Sequence, residues 1–393
     1  MNRASLRAVA LTSLTIFALA SSAIAQPANP LDPKKPGQTN PGQAGMDAPA
    51  VNLQKIFVPE FIKPGATFYY DERSGQFHQN SDQLNTGSVA VARYTVVGVT
   101  ESQVYLVRTS YLNRNGVLVY STSSLLPINQ MQVVGGATIW TDIRVVDGMT
   151  PNKDLTITNA PLTLGGAQYD CTTMDRVTRD ASARQFWDRG TGLLLAAQLA
   201  TGRVLGKDLY DREQTTSQQF ISHQPSSLPW RDDPQPDWSR TVKKMVYEGT
   251  NTLTQMNGPP ISTGYRGTLD FQQHFDGWSL FKQTTEMQWQ QQPIVFPDIA
   301  SNWRIGNYWI SPDALKRMQA GVIEENAATK TTLSYELRQG PNNKPLGYIV
   351  EAGQNNSFAI YYGYDLDDGA LVHYFKTDTE SSTQTESVLV GRE

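Results

Sequence analysis

The chain has 393 residues, with 33 Lys and Arg against 37 Asp and Glu and a formal charge of −4. Slight acidity without basic clusters argues against nucleic acid or an anionic membrane surface as partner, since both reward grouped Lys and Arg. The lone Cys171 excludes an intrachain disulfide, so stability must come from buried area, which a chain of this length can supply for two domains.

Residues 1–25 combine a cationic start (Arg3, Arg7), an apolar run from Ala8 to Ala20 and small residues at Ala23 and Ala25. That is the layout of a cleaved secretory signal, and the apolar run is too short for a membrane span. Losing Arg3 and Arg7 with this leader makes the remaining chain more acidic. No later stretch approaches the roughly 20 apolar residues a spanning helix requires, so the expected product is periplasmic or secreted, with no integral membrane segment. Residues 26–55 carry Pro27, Pro30, Pro33, Pro36, Pro41 and Pro49 among Gly, Gln, Asn and Ala. Such a segment cannot bury enough apolar surface to offset its ordering entropy, and is expected to be a disordered tether.

From residue 56 onward the pattern is that of short strands. Expected strands cover Ala66 to Asp71, Ser88 to Val99, Gln103 to Leu112, Val117 to Tyr120 after an Asn115-Gly116 turn, Met131 to Val134, Leu155 to Thr158 and Gln168 to Met174. A hairpin follows, in which Gln185-Phe186-Trp187 enters the turn Asp188 to Gly192 and Leu193-Leu194-Leu195 leaves it. Asp and Gly tolerate turn dihedrals, and aromatics suit a pleated surface. Residues 222–240 hold four prolines with Trp230 and Trp238 and mark a linker that packs down on its neighbours.

The order then repeats. Val242 to Glu248 parallels the opening strand, and Thr268 to Phe275 with Trp278 to Met287 parallels the pair around Thr100. Asn307 to Ser311 parallels Ala137 to Thr141. The hairpin Ile360 to Tyr364, turning at Asp365 to Gly369 and leaving through Ala370 to Val372, closes the series after Thr331 to Leu337. Tyr70 and Tyr247 lie 177 residues apart, as do Asp188 and Asp365, while Trp140 and Trp309 lie 169 apart. Conserved order and spacing favour duplication, with domains at 56–221 and 241–393. Ser311, Pro312 and Asp313 form a helix start, and Leu315, Met318, Val322 and Ile323 extend it to an expected three or four turns. Thr141-Asp142 begins a shorter counterpart.

The expected fold is therefore mainly β: two tandem, bent, antiparallel half-barrel-like sheets with short packing helices.

Nothing in the sequence spells out a reaction. There is no Gly-x-Ser-x-Gly elbow, His-Glu-x-x-His or phosphate-cradling loop, and the four His are scattered, so neither metal nor cofactor is expected. Asp365 to Gly369 is acidic like a calcium loop, but Gly369 is fifth rather than sixth and Lys376 takes the twelfth place, so a hairpin turn is expected. Asp71-Glu72 and Asp232-Asp233 are expected at the surface, and Cys171 is expected to be an inert buried thiol. The aromatic set Tyr70, Trp140, Trp187, Tyr247, Trp309 and Tyr364 remains; on a curved sheet such rings line an apolar cleft or form core.

The Asp-x-x-Thr-Gly-Leu turn at Asp188 to Leu193, in an exported antiparallel chain, resembles the LolA/LppX-like periplasmic lipoprotein-carrier superfamily. That resemblance implies an unclosed half-barrel whose concave face, covered by helices, holds lipid. The functional expectation is a non-enzymatic binding or carrier protein for an apolar small molecule or an envelope protein. The alternatives are an envelope structural or assembly protein and, third, an enzyme acting on envelope glycans. A carrier requires an apolar cavity of several hundred Å³ beside the Pro312 helix.

Overall fold

The computed structural model describes residues 59–77, 84–100, 103–112, 117–127, 139–178, 181–204, 210–255, 258–290, 292–379 and 381–393. The leader, the tether, the Asn115-Gly116 turn and the strand expected at Met131 to Val134 lie outside them.

Alternating apolar and polar residues, broken by Gly and Asp turns, build two antiparallel sheets. The first comprises β1 (Ala66–Phe77), β2 (Leu84–Val99), β3 (Gln103–Leu112), β4 (Val117–Pro127), β5 (Leu155–Leu164), β6 (Ala167–Val177), β7 (Ala181–Asp188), β8 (Leu194–Val204) and β9 (Tyr210–Pro225), with helix α1 (Ile143–Asp147) before β5. The second comprises β10 (Lys244–Leu253), β11 (Ile261–Phe275), β12 (Trp278–Met287), β13 (Ile294–Ser301), β14 (Gly321–Asn326), β15 (Thr331–Gln339), β16 (Pro345–Gly353), β17 (Phe358–Asp365), β18 (Leu371–Asp378) and β19 (Thr383–Arg392), with helix α2 (Pro312–Arg317) before β14.

Their orders are β4-β3-β2-β1-β9-β8-β7-β6-β5 and β13-β12-β11-β10-β19-β18-β17-β16-β15-β14. In each the first strand pairs with the last, and two edges stay open, so neither sheet closes into a barrel. Register shifts at Tyr69/Tyr70 and Val246/Tyr247, and again at Phe186/Trp187 and Gly363/Tyr364, insert bulges that bend the sheets.

The hairpin turns lock onto the segment that precedes each helix. Leu194 N–H donates to Ile139 O at 2.9 Å and Thr141 N–H to Gly192 O at 3.0 Å; Leu371 N–H donates to Tyr308 O at 3.0 Å and Ile310 N–H to Gly369 O at 2.9 Å. Both turn glycines need their missing side chain. Gly192 has φ +73 and Gly369 φ +75, and a Cβ on either would lie 1.9 Å from the carbonyl oxygen of Thr141 or Ile310.

One expectation is corrected. The helix from Pro312 ends at Arg317, Met318 is extended, and the chain re-enters a strand at Gly321, whose φ of +143 interrupts helical geometry. Val322, expected on the helix's packed stripe, is instead 62% exposed on β14. The strand β9 also runs four residues into the proline segment. From Leu228 on, that segment belongs to the second sheet's core: Leu228 and Trp230 pack with Ala314, Leu315, Leu333, Tyr335, Ile349 and Tyr364.

Candidate functional site

The face of each sheet that carries its helix is the natural place for a ligand. In the second sheet this inner face holds Leu333, Tyr335, Ile349 and Tyr364, and the Tyr335 hydroxyl donates to Leu315 O of α2 at 2.9 Å. Glu351 is two residues beyond Ile349 on β16 and so shares its face, opposite Ile360 on β17.

The α2 helix and the Leu228–Trp230 segment cover the part of the face that holds Leu333, Tyr335, Ile349 and Tyr364, and the first sheet covers its Glu351 end. On β1, β2 and β3 the residues Tyr69, Arg93 and Thr109 form one cross-strand row. That row lies on the face opposite Phe68, Tyr70 and Tyr94, which belong to the first sheet's own core. Arg93 Nη2 reaches Glu351 Oε1 at 3.4 Å, and the Tyr111 hydroxyl donates to the same oxygen. The two side chains of the ion pair are only 11% and 4% exposed. The Arg93 guanidinium also lies 5.3 Å from the Tyr111 ring centroid, a cation–π distance. Burial by itself disfavours the charged guanidinium of Arg93, yet Tyr111, Glu351, Tyr69 and Glu324 around it raise its pKa. Burial pushes the Tyr111 phenol well up, so it stays a neutral donor.

Apolar patches flank this polar centre. Tyr111 packs on Phe358 and Ile360; Val97, Tyr105 and Val107 pack on Trp278 and Ile299. Trp278 lies so close over Gly98 that a Cβ there would meet its ring at 2.7 Å. At the far end, Asn326 Nδ2 donates to the Tyr69 hydroxyl at 2.7 Å and Ser301 Oγ to Val97 O at 3.2 Å. Between them is a polar cavity of about 30 Å³, bordered by Thr67, Tyr69, Arg93, Thr95, Trp303 and Glu324. That volume suits one or two waters. It is about tenfold short of the several hundred Å³ a carrier cavity requires, and is not apolar.

The six aromatic candidates lie in the interior: Tyr70, Trp187, Trp309 and Tyr364 are 0% exposed, Tyr247 6% and Trp140 8%. Five of them hold the chain to itself. The hydroxyls of Tyr70 and Tyr247 donate to Leu194 O and Leu371 O, each at 2.8 Å across 124 residues. Tyr364 donates to Asn307 O at 2.8 Å, Trp140 Nε1 to Thr191 O at 3.0 Å and Trp309 Nε1 to Asn302 Oδ1 at 3.0 Å. Trp187 is buried with its indole N–H unpaired. The structure brings these rings together as two interior clasps rather than along an open cleft.

Other candidate chemistry is accounted for locally. The Asp365 turn is neutralised from outside, by Lys344 at 2.6 Å from Asp365 and 3.3 Å from Asp367, and by Arg392 at 2.8 Å from Asp368. Cys171 is buried, and desolvation with the nearby Asp188 and Asp170 pushes its thiol up to about 11. Among the described residues no group of three or more His, Cys, Asp or Glu is placed to hold a metal ion, and no helix is long and apolar enough to cross a membrane.

No protein-family model matches the chain, and no curated protein sequence does. Among solved structures it is similar to MucB in complex with MucA(peri), at 10% identity and a TM-score of 0.22, over 75% of this chain and 90% of that one. A second likeness is to the MucA/MucB complex of Pseudomonas aeruginosa, at 10% identity and a TM-score of 0.21, over 82% of this chain and 87% of that one. Scores this low establish neither a shared partner nor a shared ligand.

Proposed function

We propose that the chain is an exported, non-enzymatic partner-binding protein built from two copies of one β unit, residues 56–221 and 241–393, joined through the proline segment. The observation that carries this is the seam. The inner face of the second sheet, where a carrier would hold an apolar molecule, is occupied by a protein surface, met through the Arg93–Glu351 pair, the Tyr111 hydroxyl and flanking apolar contacts. An inner face of this type is thus suited to polypeptide. The pairing of strand order in the two sheets and the matched clasps at Tyr70 and Tyr247 support the duplication.

The apolar-ligand alternative has little support at this face, because the cavity found there among the described residues is small and polar. Native mass spectrometry of protein purified from cell envelopes separates the two. The partner reading expects a chain mass free of lipid and retention of a protein partner; stoichiometric co-purified lipid with no partner would reverse the assignment.

A further inference from the structure

We propose that the inner face of the first sheet is a second docking groove, and that it takes an acidic polypeptide surface; this builds on the partner-binding reading above. The basis is a comparison inside the chain. Counting back from the Asp188 and Asp365 turns, Ala183 stands where Ile360 stands and Gln185 where Tyr362 stands. Across the next strand Ala197 faces Gln185 as Tyr374 faces Tyr362, and Leu199 faces Ala183 as Lys376 faces Ile360. On the other side Met174 faces Gln185 as Ile349 faces Tyr362, and Arg176 faces Ala183 as Glu351 faces Ile360.

Three differences between the grooves point to the occupant. Ile360 and Glu351 are buried at the seam, and Leu333 and Tyr335 under α2 and the Leu228–Trp230 segment, whereas Ala183, Arg176, Leu155 and Ile157 at the matching positions are only half-buried. Alanines replace Ile360 and Tyr374, which removes bulk from the floor. The charge at the centre is reversed: the second groove offers Glu351 and receives an arginine, while the first offers Arg176, which has no ion-pair partner among the described residues. Opposite charge in the same geometry selects a carboxylate.

Gln185 narrows the chemistry further. It is 9% exposed, and its Oε1 is buried without a hydrogen-bond partner. An unpaired buried acceptor is costly and calls for an N–H or O–H donor, which a polypeptide supplies and an alkyl chain does not.

The test uses the full-length protein expressed in its own envelope, with a benzophenone-bearing residue in place of Ala183 in one strain and of the outlying Ile261 in another. Irradiation should give a protein adduct at 183, joined through a peptide rich in Asp or Glu. Arg176→Glu should lower the yield about tenfold or more, as loss of a charge pair at an interface does, while Arg176→Lys retains it and both variants keep the wild-type urea midpoint. An adduct insensitive to Arg176→Glu, an adduct with lipid, or one with a second copy of this chain would overturn the groove assignment. A partner adduct at 261 and none at 183 would overturn the groove while leaving the partner-binding reading intact. No protein adduct at either position would sink both.

Discussion

Replacing Glu351 by leucine removes the carboxylate on which the seam is centred, and the cost can be worked from its surroundings. Arg93 would stay buried with an uncompensated charge, and the Tyr111 hydroxyl would lose its acceptor. Removing one partner of a buried ion pair costs about 3–5 kcal/mol. Glu324, which also interacts electrostatically with Arg93, offsets part of that, so the lower end, about 3 kcal/mol, is expected. Combining Arg93→Met with Glu351→Leu removes both charges and should recover most of the loss, because an apolar pair of similar volume avoids the desolvation cost altogether. Tyr111→Phe alone should cost about 1 kcal/mol, the net worth of one hydrogen bond. Urea unfolding followed by tryptophan fluorescence and by hydrogen exchange at β2 and β16 reads these values. If Glu351→Leu shifts stability by less than about 1 kcal/mol, or the double variant is as unstable as the two single losses added together, the pair does not hold the seam and the argument fails.

Other outcomes test the rest of the structure. Gly369→Ala and Gly192→Ala should each destabilise by about 2–3 kcal/mol, from left-handed strain plus a broken backbone bond to the preceding segment. Gly165→Ala, whose φ is +56 but whose Cβ would meet nothing within 4 Å, should show the strain alone, about 1 kcal/mol; equal effects at all three sites would contradict the packing account. His223 stacks on Phe68 at 4.6 Å, and burial together with Lys63 lowers its pKa. The unfolded chain then binds more protons than the folded one once pH falls through the ordinary histidine range, so stability drops with acidification from about pH 6.5. His223→Gln should flatten that slope in urea midpoints measured between pH 7 and pH 5, and an unchanged slope would count against it. Cys171, with its thiol pushed up to about 11, should resist iodoacetamide at pH 8 in the folded protein and react on unfolding; rapid native labelling would show the site to be open.

Much of the strand content could be read locally. Asp-Gly turns between aromatic and apolar runs located the hairpins at Asp188 and Asp365 because turn dihedrals depend on a few adjacent residues. The helix at Pro312 was half legible: its start is written in Ser311, Pro312 and Asp313, but Leu315, Met318 and Val322 keep helical spacing past its end, and Gly321 with the pairing of β14 to β15 overrides them. Val322, opposite Ser334 on the edge strand β14, is left 62% exposed as a result. The seam was not legible at all. Arg93 and Glu351 are 258 residues apart, each sits in an ordinary alternating strand, and neither has a neighbour in sequence that marks it.

What the amino-acid order determined by itself is the vocabulary of this protein: alternating strands, glycine and aspartate turns, the starts of short helices and a mildly acidic composition, all set by residues close along the chain. Which side of each sheet stays open was decided only in three dimensions. The Glu351 end of the second sheet's inner face is closed by Tyr111 and Arg93 from the first, because burying an arginine requires a carboxylate at hydrogen-bonding distance, and only the folded chain brings Glu351 there.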